Sequence, residues 1–527
     1  MRSAGHRFWR EAMNNTVKNN IDGNKTYRTM KKIIMSTLAI AMMMTMASCS
    51  SSDNDVVENS TENELKKMTF TAICENSVGT RAKLDSENKV LWEEGDKIGI
   101  NGYPYTLEEG AGTTKGVFGG SSQQTKYIAV YPYKESWSPS SNFEALNIPF
   151  PSEQTATEGT FDKGAALMVA YSDNGSTTLE FKNVGALVKV KPKFNCKKIV
   201  LNAGDESFPL AGKGTLSYNG GNPKFTINSE KAYSITLNGT IEKDKTYYIA
   251  VPTVTLAPGW SISFTDNAGD VYTRTGSNEI EFKRNTIINL GEFSRTDEKL
   301  KLTLKENGNV PADKQVDMGV FDINGTKYRL IFTKSNLIKN GLADKESDFG
   351  DYFAWGATEP FYDNYTYSGG NTPNVSNWKN GGYTSANCPS YDKSEYTENN
   401  VLITQYDAAY QNLGGNWTIP TKEVWKALHA ANTVSWGTQL ETIDDSNIKG
   451  IKITKNNDTS TYLFLPAAGD INGKNFGGVG AHLHYWTGSS LSNTQAYYLF
   501  FDGTTVYPDY SYNRDRGFTI RPVRLVE

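Results

Sequence analysis

Alternating apolar and polar residues predict a chain built mostly of β-strands between about residues 66 and 293. The stretch Trp260–Asp266 alternates in this way and places Trp260, Ile262 and Phe264 on one face of a strand. Similar β-rich runs, among them GALVKVKPKF, TYYIAVPTV and NTIINLGEF, are separated by glycine, asparagine, aspartate and proline. Short strands with turn residues between them favour β-sandwiches over βαβ units.

Beyond about Met318 the pattern predicts an α+β domain. Thr404 is expected to cap a helix over QYDAAYQNL that stops at Gly414, and Thr421 to cap a second helix over KEVWKALHAAN. The apolar face of the second helix is expected to consist of Val424, Trp425, Leu428 and Ala431. Strand-like runs such as TYLFLPAAG, AYYLFFDG and GFTIRPVRLV follow these helices.

A leader of the lipoprotein type precedes the β-rich part. Residues 30–48 join two lysines to an apolar stretch and to small residues directly before Cys49, which is the secretory pattern. Lipidation of Cys49 is therefore expected, and residues 49–65 are expected to form a flexible tether. The alternative is an ordinary secretory leader with an incidental cysteine. Residues 1–29 are interpreted as an upstream extension from a misassigned start.

The charge balance argues against a nucleic-acid partner. The 527 residues contain 54 Lys/Arg and 58 Asp/Glu, of which eight and two lie in residues 1–48. Residues 49–527 therefore carry 46 basic and 56 acidic side chains, a net charge of −10. A chain without a surplus of positive charge is not expected to bind phosphates.

Six stretches in the β-rich part form a set. They are MTFTA (68–72), GTRAKLDSENKVLWEEGDKIGI (79–100), YIAVYPY (127–133), LEFKNVGALVKVKPK (179–193), YYIAVPT (247–253) and FKRNTIINLGEF (282–293). In this order they resemble the fimbrillin-like (Mfa-like) family of pilus subunits. The resemblance implies two transthyretin-like β-sandwich domains, expected at residues 66–175 and 176–295, with a linker at 296–316.

The same resemblance implies proteolytic processing between Arg81 and Ala82. Related pilins are exported as lipoproteins and are trimmed after an arginine that follows the first strand. Trimming opens a groove that a strand of a neighbouring subunit fills, which is β-augmentation. The alternative is a solvated Arg81 that is never cut. Because trimming also removes Cys74, a Cys74–Cys196 disulfide is a competing expectation.

A second set of motifs lies nearer the C-terminus. The motifs are DYFAWGATEP (351–360), GGNWTIPTKEVWKAL (414–428), FLPAAGDINGKNFGG (464–478), HYWTGSS (484–490) and GFTIRPVR (517–524). They resemble the Fibrobacter succinogenes major paralogous domain, which is related to the C-type-lectin-like fold of formylglycine-generating enzymes. The resemblance implies a C-type-lectin-like domain over residues 317–527. Thr418 and Thr487 stand where that family usually has Arg and Ser.

No enzyme site is predicted. Paired carboxylates and Ser-His-Asp spacing are not identifiable, and Cys388 lacks the second thiol that formylglycine chemistry needs. His482 and His484 lack a third ligand, so they are expected to be surface or hydrogen-bonded histidines. No cofactor is expected. Calcium is the one metal considered, because Asp470 and Asn472 offer suitable oxygens, although the other EF-hand positions are missing.

A candidate ligand face lies in VYPDYSYNRDRG, which is interpreted as a loop. It consists of Tyr507, Asp509, Tyr510, Tyr512, Asn513 and Arg514. Flat aromatic rings beside hydrogen-bonding groups suit a sugar or a protein ligand, although such a cluster is often only structural. The tryptophans inside the family motifs are expected to be core residues.

These observations predict a non-enzymatic fimbrial tip or accessory adhesin at the outer membrane or cell surface. Its expected partners are other pilin subunits, a glycan or surface-protein ligand and, at least transiently, the membrane through lipid. The chain continues for over 200 residues beyond the second sandwich, which favours a tip over a shaft subunit that donates its C-terminal strand. The alternatives are a non-polymerising surface lipoprotein that binds glycan or host protein and, less favoured, a secreted hydrolase.

Overall fold

Strands make up about half of the described chain and are its main regular element, as the alternation predicts. The computed structural model describes residues 66–75, 91–122, 124–218, 220–367 and 373–527. Leu65–Glu527 forms one compact unit. Among the described residues, no helix is both long enough and apolar enough to cross a membrane.

The first sheet is closed. Strands β1 to β10 are Lys66–Cys74, Lys97–Ile100, Tyr103–Glu109, Lys115–Ser122, Tyr127–Tyr131, Ser138–Pro139, Ala145–Phe150, Glu153–Thr155, Met168–Ser172 and Thr178–Asn183. Seven of them form a barrel in the order β1-β10-β9-β5-β2-β3-β4, which closes because β1 pairs with both β4 and β10. The other three, β6, β7 and β8, join sheets formed with later strands.

The next strands form a sandwich-like set of sheets. Strands β11 to β22 are Ala186–Pro192, Cys196–Asn202, Ala211–Ser217, Lys224–Ala232, Ser234–Ile241, Tyr247–Val251, Val254–Leu256, Ser261–Asp266, Val271–Thr275, Ile280–Phe282, Ile287–Phe293 and Lys301–Thr303. The main sheets have the orders β16-β11-β21, β22-β19-β18-β12-β15-β8 and β14-β13-β7-β6. Trp260, Ile262 and Phe264 are all buried, so the predicted face of β18 is confirmed.

The remaining strands and the α-helices of the described ranges lie beyond residue 314. Strands β23 to β39 are Gln315–Ile323, Thr326–Thr333, Leu337–Ile338, Gly341–Leu342, Tyr362–Tyr367, Pro373–Trp378, Thr397–Glu398, Val401–Leu402, Val434–Trp436, Gly450–Lys455, Asp458–Pro466, Asp470–Asn472, Asn475–Gly477, Leu483–Ser490, Gln495–Phe501, Val506–Asn513 and Val523–Val526. The main sheets are β23-β24-β39, β29-β30-β36-β37-β38 and β31-β32-β33.

In the part of the chain that the structure describes, two α-helices occur where the sequence predicts them, with one correction to the caps. They are α1 (Ala408–Leu413) and α2 (Lys422–Ala430). Asp407, not Thr404, caps α1: its carboxylate accepts hydrogen bonds from the backbone N–H groups of residues 409 and 410. Residues 404–406 form a separate 3₁₀ turn, so Asp407 is the residue that directly precedes α1 and can cap it. Thr421 occupies the cap position of α2 without a side-chain cap bond.

The segment predicted as a linker is packed against both of its neighbours. Strand β22 within it extends the six-stranded sheet beside β19, and Leu300 is buried. Arg329 of β24 donates to the backbone carbonyls of Arg295, Asp297 and Leu300. The stretch therefore joins the middle and C-terminal sheets through directed hydrogen bonds. The predicted domain boundaries stay a prediction.

Candidate functional site

Strand β1 occupies a slot between β4 and β10, and we call this space the strand slot. β1 runs antiparallel to β4 from Lys66 to Ile73 and parallel to β10 from Thr71 to Cys74. Both edges of β1 are therefore hydrogen-bonded to the barrel. If β1 were absent, β4 and β10 would each present an unpaired edge, which is the situation that a foreign strand relieves by β-augmentation.

Every second side chain of β1 points from the strand slot into the interior of the barrel. The inward side chains are Met68, Phe70, Ala72 and Cys74, of which the last three are 0%, 0% and 2% exposed. The intervening Thr69 is less deeply buried than Phe70. This two-residue period is that of a strand with one buried face, so β1 behaves as a core strand along its length.

Aromatic rings line the strand slot. The Phe70 ring lies edge-on to Tyr105 and Tyr127, with ring centroids 5.2 and 4.9 Å away. The Trp92 ring lies 5.0 Å from Phe118, the residue that pairs with Phe70 across β4. Edge-to-face contacts of this kind add to the free energy gained by burying the rings. The strand slot is consequently an apolar groove.

A charged group closes the far end of the strand slot. Glu75 follows β1 directly, and its carboxylate receives two bonds from Arg284, at 2.6 and 3.2 Å. The backbone N–H of Asn183 (3.2 Å) and the ammonium of Lys182 (3.6 Å) contact the same carboxylate. Burial raises the pKa of Glu75, but the hydrogen bonds and charge of Arg284 outweigh it, so the pKa is lowered overall.

A second carboxylate, Asp96, lies in the barrel beside β5. Asp96 accepts hydrogen bonds from the Tyr131 hydroxyl (3.1 Å) and from the backbone N–H of Glu93 (2.7 Å). Burial raises the pKa of Asp96 to about 6, against the opposing effect of the Tyr131 hydrogen bond. Burial and then the charge of Asp96 raise the pKa of Tyr131 well above its usual value, with a smaller effect from Cys74.

The predicted processing and lipidation residues lie outside the described residues. Arg81 and Ala82 fall in residues 76–90, and Cys49 falls in residues 1–65. In the sequence, Arg81 is the one arginine between residues 29 and 273. The eight described arginines, all at or beyond Arg274, are buried or half-buried.

The three described cysteines are buried thiols, so the expectation of a Cys74–Cys196 disulfide is not met. Burial, with a smaller contribution from Asp266, raises the pKa of Cys196 to about 12. Burial also raises the pKa of Cys388. Thiols held in the protonated form are poor nucleophiles and poor metal ligands.

A cluster of aromatic rings lies on one face of the sheet formed by β36, β37 and β38. We call it the tyrosine face, and it consists of Tyr498, Phe500, Tyr507, Tyr510 and Tyr512. Tyr498 pairs with Tyr510 and Phe500 with Tyr507, and the register shift between these pairs puts 507 and 510 on the same side. Tyr507, Tyr510 and Tyr512 are 36%, 50% and 38% exposed. The Phe500 and Tyr507 rings are stacked, with centroids 5.9 Å apart.

The structure corrects the predicted ligand face in two respects. Five of its six residues lie in strand β38 rather than in a loop, and the sixth, Arg514, follows the strand and is fully buried. The Arg514 guanidinium donates to the carbonyls of Ser390, Lys393 and Ser492 and lies 4.2 Å from the Trp355 ring centroid. Arginine is ordinarily expected at the surface, whereas here these carbonyls and the Ser490 hydroxyl accept hydrogen bonds from Nη1 and Nη2 inside the protein.

Two other predicted members make contacts away from the tyrosine face. The Asp509 carboxylate pairs with Lys426 of α2 at 3.1 Å, and Asn513 accepts from Gln495 at 3.4 Å. Lys422, also of α2, lies over the Tyr497 ring, on the side of β37 opposite to Tyr498. The alternation of strand side chains explains the division, because 509 and 510 point to opposite faces.

The sequence did not indicate the polar side chains that lie at the edge of the tyrosine face. Arg516 lies 4.6 Å from the Tyr512 ring centroid and donates to its hydroxyl at 3.1 Å. Arg516 also contacts Asp470 at 3.4 Å, and the His482 ring lies edge-on to Phe500. Burial raises the pKa of Asp470, with Arg516 opposing this effect. The signal in the sequence for this contact is that Arg516 follows Tyr512 closely in the chain.

The calcium candidates fit the ion poorly. Asp470 and Asn472 both belong to β34, but the Asp470 carboxylate faces the Arg516 guanidinium, which takes the place of a cation. Within the described ranges, no group of three His, Cys, Asp or Glu side chains is arranged to hold a metal ion. His484 is buried against Tyr498, and burial lowers its pKa to about 3.

No family model matches the chain, and no curated protein matches it. Similar solved structures include a Bacteroides uniformis protein with a proposed role in cell adhesion, at 15% identity over 45% of this chain and 96% of that chain, with a TM-score of 0.29. A fimbrial protein from Bacteroides ovatus is 11% identical over 87% of this chain and 99% of its own, with a TM-score of 0.21. The tip fimbrial protein Mfa3 from Porphyromonas gingivalis, truncated at its C-terminus, is 12% identical over 45% and 98%, with a TM-score of 0.21. Scores this low do not establish a common fold, so the proposals below rest on this chain's own residues.

Proposed function

We propose that this protein is a cell-surface fimbrial tip or accessory adhesin that accepts a strand from a pilus subunit in the strand slot. The observation that carries the proposal is that β1 alone closes the barrel, by pairing with β4 on one side and β10 on the other. Cleavage after Arg81 would separate β1 from the rest of the chain. A donor strand would then restore the backbone pairs and fill the apolar groove.

The pairing of β39 favours an acceptor over a donor. β39 is hydrogen-bonded to β24, and Val523 is fully buried. The Arg524 guanidinium bonds Asp270 at 2.7 Å and Gln315 at 2.9 Å. The side chains of Arg524 and Asp270 are each 2% exposed. Extending β39 into a neighbouring subunit would separate a buried ion pair, which is costly.

The tyrosine face is the proposed ligand surface. Three partly exposed tyrosines present flat rings, and Arg516, Asp470 and His482 border them with hydrogen-bonding groups. Rings that offer stacking area beside oriented polar groups suit the faces and hydroxyls of a sugar. The proposal includes the transthyretin-like and C-type-lectin-like domain assignments, the lipidated Cys49 and an outer-membrane location.

One observation favours the alternative of an anchored, non-polymerising lipoprotein. β1 is fully integrated in the barrel, and the Glu75–Arg284 ion pair ties its end to the neighbouring sheets. An uncut chain would therefore keep its closed barrel and remain tethered through Cys49. The two functions differ only in whether the chain is cut after Arg81.

N-terminal sequencing of the full chain, produced in a Bacteroidales-type cell and extracted from its surface, separates the two. The proposal predicts an N-terminus at Ala82 and a loss of this product in Arg81→Gln. Lys83→Gln, a charge change two residues away, is the matched control and should be processed normally. A blocked, lipidated Cys49 in the surface protein would contradict the tip function and favour the anchored lipoprotein.

A further inference from the structure

The strand slot has an apolar part and a charged end, and each restricts what can occupy it. The apolar part holds Phe70, Ala72 and Cys74, and the charged end holds Glu75. The backbone N–H of Glu75 also donates to the Phe181 carbonyl at 2.9 Å, which fixes the carboxylate in register with β10. A replacement strand must therefore satisfy a defined sequence of sites.

The apolar part narrows from one end to the other. At the Phe70 level, Tyr105 and Tyr127 stand edge-on around a large ring. The next inward-pointing residue along β1 is Ala72, which pairs with Gly116 of β4. A Cβ atom added to Gly116 would lie 2.9 Å from the Trp92 ring. The indole thus occupies the space beside this level. The groove takes a large aromatic side chain first and small side chains after it.

The charged end loses its anion when β1 leaves. Arg284 and Lys182 have side chains that are 22% and 30% exposed, and Glu75 is the salt-bridge partner of both. Over the described ranges neither cation forms a second salt bridge, and Arg284 keeps only its bond to the Asn183 carbonyl at 3.2 Å. Two half-buried cations left without a carboxylate destabilise the empty slot.

We infer that the strand accepted in this slot carries a carboxylate at the level of Glu75, small residues at the levels of Cys74 and Ala72, and a large aromatic residue at the level of Phe70. The partner is thus a β-strand with the pattern aromatic-x-small-x-small-acid, lying parallel to β10. The inference rests on the proposed function, because it assumes that β1 is exchanged. It adds a recognition rule that distinguishes the correct donor from other apolar strands.

Peptide binding to the processed full chain tests the rule. An arginine-specific protease is suited to this, because the described arginines are buried or half-buried while Arg81 follows β1 in the chain. The probe is a labelled, C-terminally amidated peptide of residues 66–76, used in reducing buffer. It is compared with the same peptide carrying Glu75→Gln or Phe70→Ala, and Arg81→Lys protein serves as the uncut control.

The expected result is binding only after cleavage, about 10- to 100-fold weaker for the Glu75→Gln peptide, as befits a lost hydrogen-bonded charge. Phe70→Ala should weaken binding as well, because it leaves the aromatic level unfilled. Arg284→Glu protein should reverse the charge preference and favour a Glu75→Arg peptide.

Two outcomes would count against the inference at different levels. Equal binding of the unsubstituted and Glu75→Gln peptides to wild-type protein would overturn the recognition rule and leave strand exchange intact. If no peptide enters the cleaved protein, strand exchange itself is wrong and the proposed function fails with it. The binding of the different peptides to wild-type protein tests the recognition rule even if the Arg284→Glu protein does not fold.

Discussion

The first and last described strands are held in place by different chemistry. β1 pairs on both edges and contributes apolar side chains at every second position, and Glu75 beyond its end forms partly exposed ion pairs with Arg284 and Lys182. β39 pairs with β24 along one edge, is bridged to Thr418 at Val523 on the other, and contributes Arg524 to a buried ion pair with Asp270. Backbone pairs and apolar contacts can be supplied by any strand with a similar pattern, whereas a buried ion pair is specific to its two partners.

The comparison separates an exchangeable element from a permanent one. An apolar strand of alternating pattern can be replaced by another strand with little rearrangement of the groove. If a strand whose guanidinium neutralises a buried carboxylate leaves, that carboxylate either becomes exposed to solvent or stays buried without a positively charged partner. Exchange is therefore expected at β1, while β39 holds the C-terminal sheets against the middle ones.

The largest effect is expected from removing the charge that holds β39. Arg524→Leu strands the buried Asp270 carboxylate and should lower the free energy of unfolding by about 3–5 kcal/mol. Urea unfolding of the uncut chain measures this change. Arg516→Leu, at a partly exposed ion pair, is the control and should cost about 1 kcal/mol or less. Adding Asp270→Leu to Arg524→Leu should recover much of the lost stability. A loss of similar size in Arg524→Leu and Arg516→Leu would contradict the special role of the buried ion pair in holding β39.

A smaller effect is expected from overfilling the narrow part of the strand slot. Ala72→Leu places extra carbons beside the Trp92 ring and should cost about 1–3 kcal/mol, since the neighbouring rings leave no room. Thr69→Leu, on the other side of the same strand, should change stability by about 0.5 kcal/mol or less. Thermal unfolding of both variants gives the comparison, and equal effects would show that β1 does not fill a tight groove.

How far the sequence predicts this structure depends on whether a contact is local. The alternation of Ser261–Asp266 and the burial of Val424, Trp425 and Leu428 on α2 follow from periodicity and are confirmed, whereas Ala431 lies just beyond the end of the helix. The closure of the barrel by β1 joins residues about a hundred positions apart, and no local pattern encodes such a pairing. Arg514 shows the same limit for a candidate site, because its burial depends on carbonyls supplied by residues far away in the chain.

The barrel around Asp96 is expected to respond to pH. Burial raises the pKa of Asp96 to about 6, so between about pH 4 and 6 the folded protein holds a proton that the unfolded chain releases. The stabilising contribution of this group is present at low pH and is lost as pH rises through about 6. Wild type should therefore gain stability over Asp96→Asn when the pH falls from about 7 to 5. Parallel pH profiles of the two proteins would contradict this assignment.

The smallest effect on stability is expected at the tyrosine face. Tyr510 is half exposed, so Tyr510→Ala should change the free energy of unfolding by about 0.5 kcal/mol or less. The same variant should lose glycan-array binding shown by the wild-type chain, because it removes a stacking ring. Tyr410→Ala, an exposed tyrosine on α1, is the matched control and should bind normally. Unchanged array binding in Tyr510→Ala would remove the tyrosine face as the ligand surface.

Native mass spectrometry of the full chain after cleavage at Arg81 shows whether β1 is the exchangeable strand. Cleaved protein is mixed with an excess of the unlabelled peptide of residues 66–76, and the mass of the complex is followed over time. We expect the fragment ending at Arg81 to leave and one peptide to take its place, while the C-terminal strand stays with the protein. A cleaved protein that keeps its own fragment against any excess of peptide would contradict the claim that β1 is the exchangeable strand.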